Sequence, residues 1–155
     1  MKYELVKEEG FYRIKALKDF AHVKTGSFGG LIEKESNLSQ KGDCWVSENA
    51  QVSENALVYE NALVYGDAEI YENAQVFGNA RVFGNALVSG NAQVFGDARV
   101  SGNARISNIL KDLSITTNLT EAFKKLLEDN TLWPVLMGFH PAFSEIAEQK
   151  LKASK

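Results

Sequence analysis

The sequence predicts a mainly β fold, a parallel β-helix, and three observations carry that reading. Residues Trp45 to Ala104 repeat one six-residue unit ten times without interruption: WVSENA, QVSENA, LVYENA, LVYGDA, EIYENA, QVFGNA, RVFGNA, LVSGNA, QVFGDA and RVSGNA. Position two is always Val or Ile, position five always Asn or Asp, and position six always Ala. Within each unit the order Ala-x-Val-x, as in Ala74-Gln75-Val76-Phe77, alternates strictly, which points Ala and Val one way and their neighbours the other. A fixed short period makes each unit stack on the next, so a solenoid results.

Positions four and five are Gly or Glu followed by Asn or Asp, for example Gly78-Asn79. Gly and Asn tolerate positive φ, so this pair is where the chain turns a corner. A strand of about four residues plus a corner makes a polygonal coil with Ala and Val inside and neighbouring coils about 4.8 Å apart. The register extends backwards. Leu31 to Ser36 fits with Ser36 in the Ala slot, and Asn37 to Cys44 fits with two extra residues at the corner, placing Leu38 in the Val slot and Cys44 in the Ala slot.

This pattern resembles the left-handed β-helix of hexapeptide-repeat proteins. The resemblance implies a triangular coil of three hexads, left-handed winding, and about four coils over residues 31–107, a prism about 19 Å tall. It is specific for fold and silent on activity. The segments Ile14-Lys15-Ala16-Leu17-Lys18-Asp19-Phe20, Gly29-Gly30-Leu31-Ile32-Glu33, Asn37-Leu38-Ser39 and Cys44-Trp45-Val46 also resemble the leader of uncharacterised hexapeptide-repeat proteins of bacteriophages and prophages, which implies a viral or prophage origin.

A solenoid needs caps over its unpaired edges and open core. Residues 1–30 are expected to supply one, with strands over 2–7 and 11–17 and Tyr3, Leu5, Phe11 and Ile14 as apolar members. Residues 108–155 read as a helical tail. Asn118 with Glu121 forms a capping box before Leu119, Phe123, Leu126 and Leu127 at helical spacing, and Pro141 opens a second helix. Between them the apolar run Leu132 to Phe139, with Trp133 and Phe139, must be buried, on the prism or on another subunit.

Composition bounds the rest. At 155 residues, 45% hydrophobic and net charge −3, the chain reads as one soluble globular unit. The acidic balance argues against nonspecific nucleic-acid binding. Cys44 is the sole cysteine, so no internal disulfide forms and a buried, inert thiol is expected. Met1-Lys2-Tyr3-Glu4 is no apolar signal segment and no run suits a bilayer; a cytoplasmic location is expected.

If residues three hexads apart stack, the outward positions sort into columns. The third face carries Tyr59, Phe77 and Phe95, with Leu57, Gln75 and Gln93 beside them. Each ring carries roughly 150–250 Å², more than a monomer leaves wet. Because the family commonly forms trimers through flat faces, a homo-oligomer interface of Leu57, Tyr59, Phe77, Phe95, Trp133 and Phe139 is expected, with the chain's own helices or a separate partner as alternatives. On the first face Trp45, Leu63, Arg81 and Arg99 form one column and Ser47, Tyr65, Phe83 and Ser101 the next. Two guanidinium groups one coil apart repel unless an anion lies between them. Arg81 and Arg99 with Tyr65 and Phe83 alongside are therefore the candidate site for a phosphate or nucleotide, or else splay into water or pair with Glu69 or with acids on another subunit. Glu48, Glu54, Glu60 and Glu72 read as a solvated rim.

Catalytic chemistry is thin. The resemblance implies acyltransferases with a histidine base, or a branch binding zinc through three histidines. This chain has two, His22 and His140, outside the coils. No catalytic residue, metal site or cofactor is assigned. The expected function is a non-enzymatic, oligomeric binding protein that engages a bacterial host protein or a signalling nucleotide, as in inhibition of a defence system. The alternatives are an acyltransferase and a structural particle component.

Overall fold

The structure, a computed structural model, describes residues 1–107, 109–111 and 114–115. The chain divides into two units between Thr117 and Asn118. The expected C-terminal helices, with Trp133, Phe139 and His140, lie outside the described residues.

The hexads build a parallel β-solenoid of about four turns. The first face stacks β4 (Trp45–Val46), β7 (Leu63–Val64), β10 (Arg81–Val82), β13 (Arg99–Val100) and β16 (Ser114–Ile115). The third stacks β6 (Leu57–Val58), β9 (Gln75–Val76), β12 (Gln93–Phe95) and β15 (Ile109–Lys111). On the second face β5 (Gln51–Val52), β8 (Glu69–Ile70), β11 (Leu87–Val88) and β14 (Arg105–Ile106) continue a sheet begun by β1 (Tyr3–Glu8), β2 (Phe11–Ala16) and β3 (Phe28–Ile32). Equivalent positions pair, Val82 with Val64 and Val100, Val76 with Val58 and Val94. Val, Ile and Ala of the hexads point inward, and from Val46 to Val100 they are no more than 1% exposed. Each such valine contributes roughly 1.5 kcal/mol by leaving water. Parallel pairing runs past Ser107. Gln93 pairs with Ile109 and Arg99 with Ser114, so residue 107 ends the hexad pattern and not the solenoid.

Corners correct one expectation. Position four takes positive φ throughout, as Gly at Gly66, Gly78, Gly84, Gly90, Gly96 and Gly102 and as glutamate at Glu48, Glu54, Glu60 and Glu72, whose φ values run from 54 to 60°. The Asn or Asp at position five does not adopt it. Its side chain instead bonds the next coil: Asn49 Nδ2 donates to Asp67 Oδ1 at 3.0 Å, Asn79 Nδ2 to Asp97 Oδ1 at 3.1 Å, and Asn55, Asn61, Asn73 and Asn85 donate likewise. Nor are the glutamates merely a solvated rim. Glu48 Oε2 accepts from Gly66 N at 2.7 Å, Glu60 Oε2 from Gly78 N at 2.8 Å, and Glu72 Oε2 from Gly90 N. A charge-assisted bond to the next corner offsets the left-handed strain that a side chain suffers there.

The N-terminal end is closed from a distance. β1 and β2 pair antiparallel, Tyr3 opposite Ala16, and β3 hands the sheet to β5 through Leu31–Gln51 and Ile32–Val52. Tyr3 and Ile14 are buried, whereas Leu5 and Phe11 are only half-buried. Gly29 and Gly30 are required by close approach: a Cβ there would stand 2.5 Å from Val46 O and Ala50 O respectively. Lys2 is buried with them. Its Nζ donates to Cys44 O at 2.8 Å and Gly42 O at 3.3 Å, stands 3.2 Å from Cys44 Sγ, and lies 5.2 Å from the Phe20 ring centre. Burial raises the Cys44 thiol pKa against the opposing pull of Lys2, which keeps the thiol protonated.

Ser36 does not fill the Ala slot. A 3-10 turn over Glu35–Asn37 leaves Ser36 exposed and buries Asn37 in its place. Asn37 N is spent on Lys34 O, and Nδ2 substitutes for it, donating to Ala56 O at 2.9 Å and Glu54 O at 3.0 Å. Leu38 bridges Val58 and Cys44 is fully buried, as the register requires.

In the cap loop, Asp19 Oδ1 accepts from Thr25 N at 2.9 Å and Thr25 Oγ1 at 2.8 Å, and Oδ2 from Lys24 Nζ at 3.0 Å. The Thr25 amide, then Lys24 and the Thr25 hydroxyl, hold its pKa down from 3.8 to about 2. A folded value below the unfolded one stabilises the fold above the unfolded value and ceases to do so as pH falls through the folded one. Carbon-detected NMR titration should find Asp19 titrating near 2; a midpoint at the ordinary aspartate value would refute this account.

Candidate functional site

The first face begins under the cap. Trp45, expected in an outward column, is buried, with its ring 5.3 Å from Phe20 and 6.2 Å from Tyr3 in edge-on contacts. Below it the sequence-predicted residues come together. Arg81 and Arg99 are register partners on adjacent strands and both side chains are exposed. Among the described residues neither guanidinium has an ion-pair or hydrogen-bond partner. Glu69 lies on the second face between Gln51 and Leu87, so it does not neutralise them.

Phe83 follows Arg81 in the same row and Tyr65 follows Leu63 in the row before, and the two rings stack, centroids 4.9 Å apart and planes 2° from parallel. Each ring covers one face of the other. The strand spacing of about 4.8 Å already brings one ring onto the next, so their facing π-surfaces are consumed and only edges and the outer surface of each end ring remain. The chemistry of this face is that of two clustered cations near an aromatic pair.

The third face behaves alike. Tyr59 stacks on Phe77 at 4.8 Å and 4°, and Phe77 on Phe95 at 4.9 Å and 1°. Leu57, Gln75 and Gln93 run alongside in register, and Tyr59 OH lies 3.2 Å from Gln75 Oε1. All six are half-buried. Part of the apolar area that seemed to demand a cover is thus buried ring on ring. Burial, and then the Glu60 carboxylate, raise the Tyr59 pKa. At the N-terminal end of this ladder an open hollow of about 410 Å³ is lined by Ser39, Lys41, Gly42, Tyr59, Glu60 and Asn61. It does not include Arg81 or Arg99.

Three contributors were invisible to sequence reasoning: Lys2, Asn37 and Gln40, whose Oε1 accepts from Lys2 N at 2.8 Å and whose Nε2 donates to Tyr3 O at 3.2 Å. The only signal for Asn37 was that it stands where the hexad register breaks. His22 is exposed in the cap. Among the described residues no three His, Cys, Asp or Glu side chains cluster as metal ligands, and no helix is long and apolar enough to cross a membrane.

Among curated proteins no match to the chain was found. The family model described as the YdcK β-solenoid repeat matches residues 50–66, 74–90, 80–96 and 92–108. The hexad region is therefore similar in its repeat to that β-solenoid family.

Proposed function

We propose that this chain is a non-enzymatic binding protein of the left-handed hexapeptide-repeat type, of phage or prophage origin. It self-associates through the third face, as a trimer, and takes an anionic group on the first face through Arg81 and Arg99. The bound group belongs to a bacterial host protein or a signalling nucleotide in the cytoplasm, and the consequence is inhibition of a host defence. One observation carries the reading: two guanidinium groups one strand spacing apart with no acid partner among the described residues. Such a pair repels by about 1 kcal/mol at that spacing in water and is relieved by a bridging carboxylate or phosphate, for which the guanidinium fork is shaped. The aromatic stripe of Tyr59, Phe77 and Phe95 supports self-association, since its ring edges and Leu57 still face outward.

Native mass spectrometry with light scattering on protein purified from its natural host tests both parts. The expected result is a trimer mass with a retained anionic ligand. Arg81→Glu with Arg99→Glu should weaken that ligand at least about a hundredfold, as loss of two charge-assisted contacts implies, while leaving the trimer intact. A monomer carrying nothing overturns the reading.

A further inference from the structure

The third-face ladder stops one ring short, and an open hollow lies at that end. Ser39 N donates to Val58 O at 2.9 Å, which places Ser39 in the row before Tyr59, as Tyr59 N to Val76 O at 3.1 Å places Tyr59 before Phe77. In the outward column the order is therefore Ser39, Tyr59, Phe77, Phe95. Tyr59 has Phe77 against one π-face, and on the other side stands a serine. The open hollow of about 410 Å³ lies there. It exists because the corner from Gln40 to Asp43 is longer than the hexad corners, so the pairing offset is wider at Leu38–Val58 than at Trp45–Leu63.

Polar groups converge on the hollow. Glu60 Oε2 accepts from Gly78 N, which leaves Oε1 for another donor. Asn61 heads its own ladder, giving Nδ2 to Asn79. Among the described residues no donor reaches Asn61 Oδ1, whereas Asn79 Oδ1 one coil on accepts from Asn61. Lys41 is exposed at the rim. An aromatic surface, two acceptors and one cation form a set of complementary features.

We propose that this hollow binds a planar heteroaromatic ring carrying amino donors and an anionic substituent, a nucleobase-type ligand that stacks on Tyr59 as the fourth ring of the ladder. Its amino groups donate to Glu60 and Asn61, and Lys41 meets the anion. The site lies on a different face from Arg81 and Arg99 and does not rest on them.

Adenosine monophosphate titrated into the full chain, followed by calorimetry and NMR, is the probe, with ribose 5-phosphate as the ringless control. Saturable binding of the nucleotide and none of the control is expected. Ser39→Phe fills the row with the chain's own ring, so it should weaken the nucleotide at least about tenfold, the size of one stacking contact, and raise Tm. Arg81→Glu with Arg99→Glu should leave this binding unchanged, so failure here and failure at the arginine pair are distinguishable. Should Ser39→Phe not fold, Lys41→Glu must weaken adenosine monophosphate about tenfold while sparing adenosine. No saturable binding to the wild type, undiminished binding to Ser39→Phe or Lys41→Glu, or equal binding of ribose 5-phosphate overturns the proposal.

Discussion

Asn37→Ala is expected to lower the free energy of unfolding by about 3 kcal/mol, far more than a surface asparagine would. Asn37 is fully buried and its amide donates to Ala56 O and Glu54 O, while Oδ1 accepts from Lys34 N at 2.8 Å. Alanine removes all three bonds and strands at least one carbonyl at the end of the third-face sheet, where water enters poorly. Leaving a buried acceptor unpaired costs about 1–3 kcal/mol on its own. Asn37→Asp should do as badly, because a carboxylate faces two carbonyl oxygens it cannot bond. Urea denaturation of both variants checks this. A loss below about 1 kcal/mol for alanine would mean that water replaces the amide and that the residue does not close the first coil.

Val76→Asp should cost still more, about 4 kcal/mol or greater, and most of the protein should fail to fold at neutral pH. Val76 is fully buried between Val58 and Val94, in a core of alanine, valine and isoleucine side chains. An ionised carboxylate there has no partner. Its folded pKa must rise above the unfolded value near 4. The penalty is therefore absent below that value and grows as pH climbs above it. Compared with the parent protein at each pH, the deficit should shrink on acidification. Phe77→Asp, one residue along, supplies the contrast. Phe77 faces outward and half-buried, so that change breaks two ring stacks at a cost of roughly 1–3 kcal/mol with little of this pH dependence. Equal damage from the two substitutions would contradict the inward and outward assignment.

These two residues also show how much of the molecule could be read in its sequence. Val76 and Phe77 were assigned to the inside and the outside by period alone, and the columns Arg81–Arg99, Tyr65–Phe83 and Tyr59–Phe77–Phe95 followed from stacking every third hexad. A short repeat is a local signal that fixes which side chains face inward, but the count of three hexads per turn came from the family resemblance and not from the period. Asn37 and Lys2 are the opposite case. Lys2 meets Cys44 across 42 residues and Tyr3 reaches Leu38 across 35; neither contact has a period to announce it. Ser36 was assigned to the Ala slot because it is small, but the 3-10 turn let an asparagine amide outcompete it. Glutamate at a left-handed corner ran against propensity, and the Gly amide one coil on explains it at Glu48, Glu60 and Glu72, though not at Glu54, where the next corner is Glu72. The candidate site was legible as positions and not as chemistry: the arginines were located, but the ring stacking that occupies Tyr65 and Phe83 follows from a spacing that composition does not express.

The corner bonds run both ways, an asparagine amide to an oxygen of the following coil and a glycine amide back to a glutamate of the preceding one, and both kinds join residues 18 apart. Excising or duplicating one whole turn would bring together ends that match in strand register and in bonding partners alike. Any other change in length would misalign both. Descendants of this chain are thus free to grow or shrink only in quanta, each about 4.8 Å tall, which makes the protein a ruler whose graduations evolution can add without recutting either end.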